Sequence, residues 1–117
     1  MAVENWQEFL KQTDGRLAEL RPGIPGVMKG FGEIAKSAIG TGALEPKQKE
    51  LIAISIGVAA RCDACLGYHA KACIKYGVTR EELMEALGVA VYMGGGPSLM
   101  YAAEALSAFD ALLEEAK

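Results

Sequence analysis

Residues 46–77 read PKQKELIAISIGVAARCDACLGYHAKACIKYG, and this stretch decides the fold. Pro46 suits the first turn of a helix, where an N–H would lack an intrahelical partner anyway. From Lys47 to Ala60 the pattern is helical. Its part from Leu51 to Ala60 is apolar nearly all round, as expected of a helix buried at the centre of a bundle. A second helix follows from about Asp63 to Tyr76, with Gly77 placed to close it in the left-handed conformation. Two helices that meet near residue 60 form an antiparallel hairpin. Neither shows the apolar–polar alternation of a strand.

The flanks continue the helical reading. Upstream, a helix is expected from about Glu4 to Leu20, with Trp6, Phe9, Leu10, Leu17 and Leu20 as its apolar contacts. Pro22, Gly23, Pro25 and Gly26 stop it. A further helix from about Gly26 to Ile39 would bury Val27, Met28, Phe31, Ile34, Ala35 and Ala38 before Gly40 and Gly42 end it. Downstream, Thr79 with Glu82 three residues later forms a capping box for a helix reaching about Met93. Gly94-Gly95-Gly96-Pro97 then reads as a tight bend, and Pro97 starts a last helix with Glu104, Asp110, Glu114 and Glu115 on a solvated side. The expectation is an all-α bundle of about six helices, with residues 1–117 as one domain, since 117 residues leave little room for a second core.

Composition narrows the partners. A net charge of -3 with scattered Lys and Arg gives no basic stripe, so nucleic acid is not an expected partner. The run from Ala86 to Ala103 is uncharged, but glycines and Pro97 break it midway, which argues against a membrane span. Met1 to Trp6 lacks the positive start and apolar run of a secretory signal, and a cytoplasmic setting follows. In that reducing compartment a cysteine pair is more often redox-active or metal-binding than a structural staple.

The chemistry is concentrated in residues 62–73. Steps of three and four on a helix put Cys62, Cys65, His69 and Cys73 on one stripe, with the imidazole one turn beyond Cys65. Two thiols separated by two residues at a helix start can close a disulfide, and the helix N-terminus favours a thiolate there. A zinc site made of the same four residues is the competing reading. On one continuous helix, however, Cys62 and Cys73 would lie about 16 Å apart, too far to share an ion. Cys73 reads better as a buried small hydrophobe. Glu50 lies about as far before the helix break as His69 lies after it, so the hairpin would set carboxylate against imidazole and fix the ring's tautomer. A glutamate in the first turns of a helix also has a purely structural use, in favouring the dipole.

Glu50 followed by Cys62-x-x-Cys65-x-x-x-His69 resembles the active-site signature of the alkylhydroperoxidase AhpD family, within the carboxymuconolactone decarboxylase superfamily. The resemblance runs from about Leu44 through the Gly94–Pro97 bend to Ala108. It implies an AhpD-like helical bundle acting as a thiol-dependent peroxidase or disulfide oxidoreductase, with Glu50, Cys62, Cys65 and His69 as catalytic residues. By this resemblance Cys65 is the peroxide-reactive thiol, deprotonated through His69 and Glu50, and Cys62 resolves the sulfenic acid. Helix-dipole reasoning alone favours Cys62 as the attacking thiol, so the two arguments disagree. The implied substrate is a hydroperoxide or disulfide, and the implied recycling partner is a dithiol such as dihydrolipoamide, or a peroxiredoxin. No cofactor or metal is implied. The resemblance also implies a homo-oligomer, a trimer or hexamer, with Leu51–Ala60 and Leu87–Met93 as candidate subunit contacts. Members of the family often carry a second histidine just before the second cysteine, where this chain has Ala64. Two other functions compete: a carboxymuconolactone decarboxylase-type enzyme, whose chemistry needs no cysteine pair, and a non-enzymatic redox sensor.

Overall fold

A computed structural model describes residues 3–117 of the chain; Met1 and Ala2, part of the segment read for a secretory signal, lie outside it. The described residues form six α-helices and one short 3₁₀ turn: α1 Trp6–Leu20, the turn Arg21–Gly23, α2 Pro25–Ile39, α3 Pro46–Ala59, α4 Asp63–Lys75, α5 Arg80–Gly94 and α6 Gly96–Ala116. No strand occurs among them.

Local chemistry sets the helix ends. The Asn5 side chain accepts the Glu8 N–H at 2.9 Å and starts α1. Thr79 accepts the Glu82 N–H at 3.1 Å while the Glu82 carboxylate accepts the Thr79 N–H at 2.8 Å, closing the expected capping box on α5. That backbone donor, with Lys47 2.9 Å away on α3, holds the Glu82 carboxyl below its ordinary pKa. Gly77, at φ 79°, ends α4 in the left-handed conformation; its N–H bonds the Ile74 carbonyl and the Val78 N–H bonds that of Cys73. Gly95, at φ 71°, makes the bend between α5 and α6.

α4 lies at the centre, packed against α3, α6 and α1. Leu66, Ala70 and Cys73 of α4 meet Ile54 and Val58 of α3, Leu83 and Leu87 of α5, and Ala105, Ala108 and Phe109 of α6 in one core. Each of the larger side chains contributes about 1.5–3 kcal/mol on leaving water. α1 adds Trp6 and Leu10, and it comes close because α4 presents Gly67 to it. A Cβ at Gly67 would lie 2.6 Å from a methyl of buried Leu10. Tyr68 donates a hydrogen bond to Asp14 and ties the two helices a second time.

Four expectations about burial are corrected. α2 forms, but it buries none of its residues: Val27, Phe31 and Ile34 are each about two-thirds exposed. The amphipathic pattern dictates a helix with one apolar face, and among the described elements α2 packs only lightly, against α3 and the 3₁₀ turn. α3 is not buried all round, because Ile52 and Ile56 point to an open flank. α1 reaches the core with Trp6 and Leu10, whereas Leu20 is exposed. On the polar side of α6, Glu104 is half-buried rather than solvated, and one of its carboxylate oxygens is fully covered. Among the described residues, no helix is long and apolar enough to cross a membrane.

Candidate active site

The joint between α3 and α4 is built around Cys62. At the end of α3 the Cys62 N–H bonds the Gly57 carbonyl at 3.1 Å and the Arg61 N–H bonds that of Val58 at 3.1 Å. This is the same pair of bonds that Gly77 closes at the end of α4, and it needs a left-handed residue in the same place. Here that residue is Arg61, at φ 56°. Cys62 then serves the next helix as its N-cap, with its Sγ accepting the Cys65 N–H at 3.2 Å. One residue therefore closes α3 and opens α4. Replacing Arg61 with glycine is expected to raise stability by about 0.5–1 kcal/mol by removing the left-handed strain; a denaturant melt of the variant checks it.

Cys62 and Cys65 are joined as a disulfide, with Cα atoms 5.2 Å apart. Both are half-buried, at the positive end of the α4 dipole. One turn beyond Cys65, the His69 Nδ1 lies 2.7 Å from Glu50 Oε1, across the hairpin on α3. The His69 side chain is 36% exposed while that of Glu50 is 6% exposed, so the carboxylate is a buried anchor and the imidazole its accessible end. A carboxylate only accepts, hence Nδ1 carries the hydrogen and Nε2 is left as the basic nitrogen. The four residues read from the sequence thus share one hairpin, and the Glu50–His69 contact forms as the spacing suggests.

Cys73 continues the stripe but stands apart from the pair. It is a free thiol with no exposed surface, and burial, then the nearby Glu50 charge, push its pKa from 9.0 to about 12. Native reduced protein is expected to take iodoacetamide at Cys62 and Cys65 and spare Cys73 at pH 8, with the third thiol appearing only on denaturation; peptide mapping reads this. The shift also carries a linkage. The unfolded chain loses the Cys73 proton first, so this thiol's stabilisation is intact below about pH 9 and is lost as pH rises toward 12. Among the described residues, no three His, Cys, Asp or Glu side chains come together as metal ligands would.

Sequence reading missed two residues of the joint. Arg61 gave no signal, because a left-handed turn residue is normally glycine. Gly57 could have been found, as an isolated glycine inside an otherwise strong apolar helix.

An all-α bundle carrying a CxxC disulfide at the start of its central helix, beside an accessible imidazole anchored to a buried carboxylate, defines the class: a small helical protein built around a cysteine pair. Residues 25–108 match the carboxymuconolactone decarboxylase family, and the chain belongs to it. A carboxymuconolactone decarboxylase family protein from Legionella pneumophila superposes with a TM-score of 0.89 at 49% identity, over 92% of this chain and 96% of that one. A Thermotoga maritima member, described with a possible part in antioxidative response, superposes at 0.70 with 30% identity, over 76% of this chain and 92% of that one. The alkyl hydroperoxide reductase AhpD of Mycobacteroides abscessus is 29% identical over 82 residues, which are 70% of this chain and 41% of that protein. The match thus spans less than half of that relative's length.

Proposed function

We propose that this protein is a thiol-dependent peroxidase or disulfide reductase, cycling Cys62 and Cys65 between dithiol and disulfide with His69 and Glu50 as its proton relay. The observation that carries this reading is the Cys62–Cys65 bond at the start of α4, one turn from an imidazole already anchored to a buried carboxylate. The AhpD relative and the antioxidative description of the Thermotoga protein support the same direction.

In this cycle the Cys65 thiol gives its proton to His69 Nε2, and its thiolate attacks the terminal oxygen of a hydroperoxide. The O–O bond breaks, the alkoxide leaves and takes the proton back as an alcohol, and Cys65 becomes a sulfenic acid. Cys62 then attacks that sulfur, the S–O bond breaks, and hydroxide leaves as water with the Cys62 proton. An external dithiol reduces the new disulfide and is itself oxidised to a disulfide. Such a cycle operates where thiols are kept reduced, which fits a cytoplasmic setting. Titrating free thiols before and after one equivalent of cumene hydroperoxide tests it. Loss of two thiols per chain is expected; unchanged thiols would count decisively against it.

The same reading includes a homo-oligomer. In addition to the exposed face of α2, the chain carries an apolar groove of about 410 Å³ between α3 and α5, lined by Leu51, Ile52, Ile56, Ala59, Val89 and Met93. A monomer leaves both surfaces in water, whereas an assembly of copies covers them. Light scattering should give a mass several times the 12.4 kDa chain, and a monomer would contradict this part.

A further inference from the structure

We infer that Gly57 is a positioning residue for the redox pair, holding both cysteines from α3 and setting how readily their disulfide forms. This inference rests on the proposed redox role of Cys62 and Cys65. Two contacts carry it. The Gly57 carbonyl accepts the Cys62 N–H at 3.1 Å. On the same residue, an added Cβ would lie 3.2 Å from Cys65 Cβ, with Leu66 Cδ2 at 3.5 Å and the Cys65 carbonyl carbon at 3.9 Å. Glycine destabilises a helix interior relative to alanine, so a helix as apolar as α3 holds one here at a cost. The contact explains it, because any side chain here would crowd Cys65, whereas glycine lets the α3 backbone lie against it.

The arrangement is a closed loop. Gly57 holds Cys62 through its carbonyl, Cys62 holds Cys65 through the disulfide, and Cys65 comes back against the bare Cα of Gly57. A methyl group placed there must push Cys65 away by a few tenths of an ångström. In the oxidised protein the sulfur–sulfur bond and the Cys62 N–H bond resist that shift. In the reduced protein the sulfur tie is cut, and only the α4 backbone resists the shift of Cys65. Strain therefore falls more heavily on the disulfide form, and the pair becomes more oxidising.

The test is the equilibrium of wild type, Gly57→Ala and Gly88→Ala with dithiothreitol redox buffers, counting oxidised chains by alkylation and mass. Gly88 is the control, since it lies inside α5 and an added Cβ there meets nothing within 4 Å. Gly57→Ala is expected to lower the equilibrium constant for the disulfide about tenfold, equal to about 30 mV for a two-electron couple. Gly88→Ala should leave it unchanged. An unchanged constant in Gly57→Ala would overturn the inference, as would failure of that variant to fold in either redox state, which would assign Gly57 to core packing. Folding in the reduced state only supports it. The readout needs no peroxide, so a failure here is distinct from a failure of the peroxidase reading, which shows as wild-type thiols that ignore hydroperoxide.

Discussion

Replacing Cys65 with serine is expected to reduce hydroperoxide turnover to the uncatalysed background, because it removes the sulfur that attacks and the one that later accepts Cys62. Serine keeps nearly the same volume, and its alcohol remains protonated near neutral pH, so the fold should survive while the nucleophile is lost. The comparison with Cys62→Ser is informative. Without its resolving partner, Cys65 should still turn over one peroxide and then stop as a sulfenic acid or climb to the sulfinic acid. Peroxide consumption coupled to oxidation of a dithiol measures both variants. Full activity in Cys65→Ser would leave the cysteine pair without a part in the reaction. It would favour the competing decarboxylase function, whose chemistry needs neither thiol.

His69→Gln carries the second large effect. General acid–base help of this kind is worth about 10²–10⁴-fold, and the variant should lose about that much at neutral pH. Its remaining rate should climb as pH rises, because hydroxide then takes over from the missing base in removing the thiol proton. This pH dependence separates a proton-transfer role from damage to packing, which gives no such recovery. Glu50→Gln keeps the shape of the anchor but presents an amide, and a smaller loss of the same character is expected. A flat pH profile in His69→Gln would remove the imidazole from the proton path.

How far the sequence could be read depended on whether a feature is local. Gly77, Thr79 with Glu82, and the Gly95 bend act through backbone positions a few residues away, and each stands where its residue type suggests. The Glu50–His69 contact was legible for a related reason: residues equally distant from a hairpin turn must face each other, and the bond is there at 2.7 Å. Burial was less legible. The periodicity of Val27, Phe31 and Ile34 shows that α2 has an apolar face, but periodicity cannot say what covers it, and within this chain little does. Ile52 and Ile56 fail in the same way, because an all-round apolar helix looks identical whether its last flank meets its own core or another surface. Arg61 lay beyond reach: its left-handed backbone is imposed by the two hydrogen bonds that end α3, not by any preference of arginine.

The most direct measurement is an intact mass of the reduced native protein before and after one equivalent of hydroperoxide, followed by mapping of its cysteine peptides. The account predicts loss of two hydrogens, a single link between Cys62 and Cys65, and an unmodified Cys73. Thiols left untouched, a link through Cys73, or added oxygen with no link between Cys62 and Cys65 would contradict it.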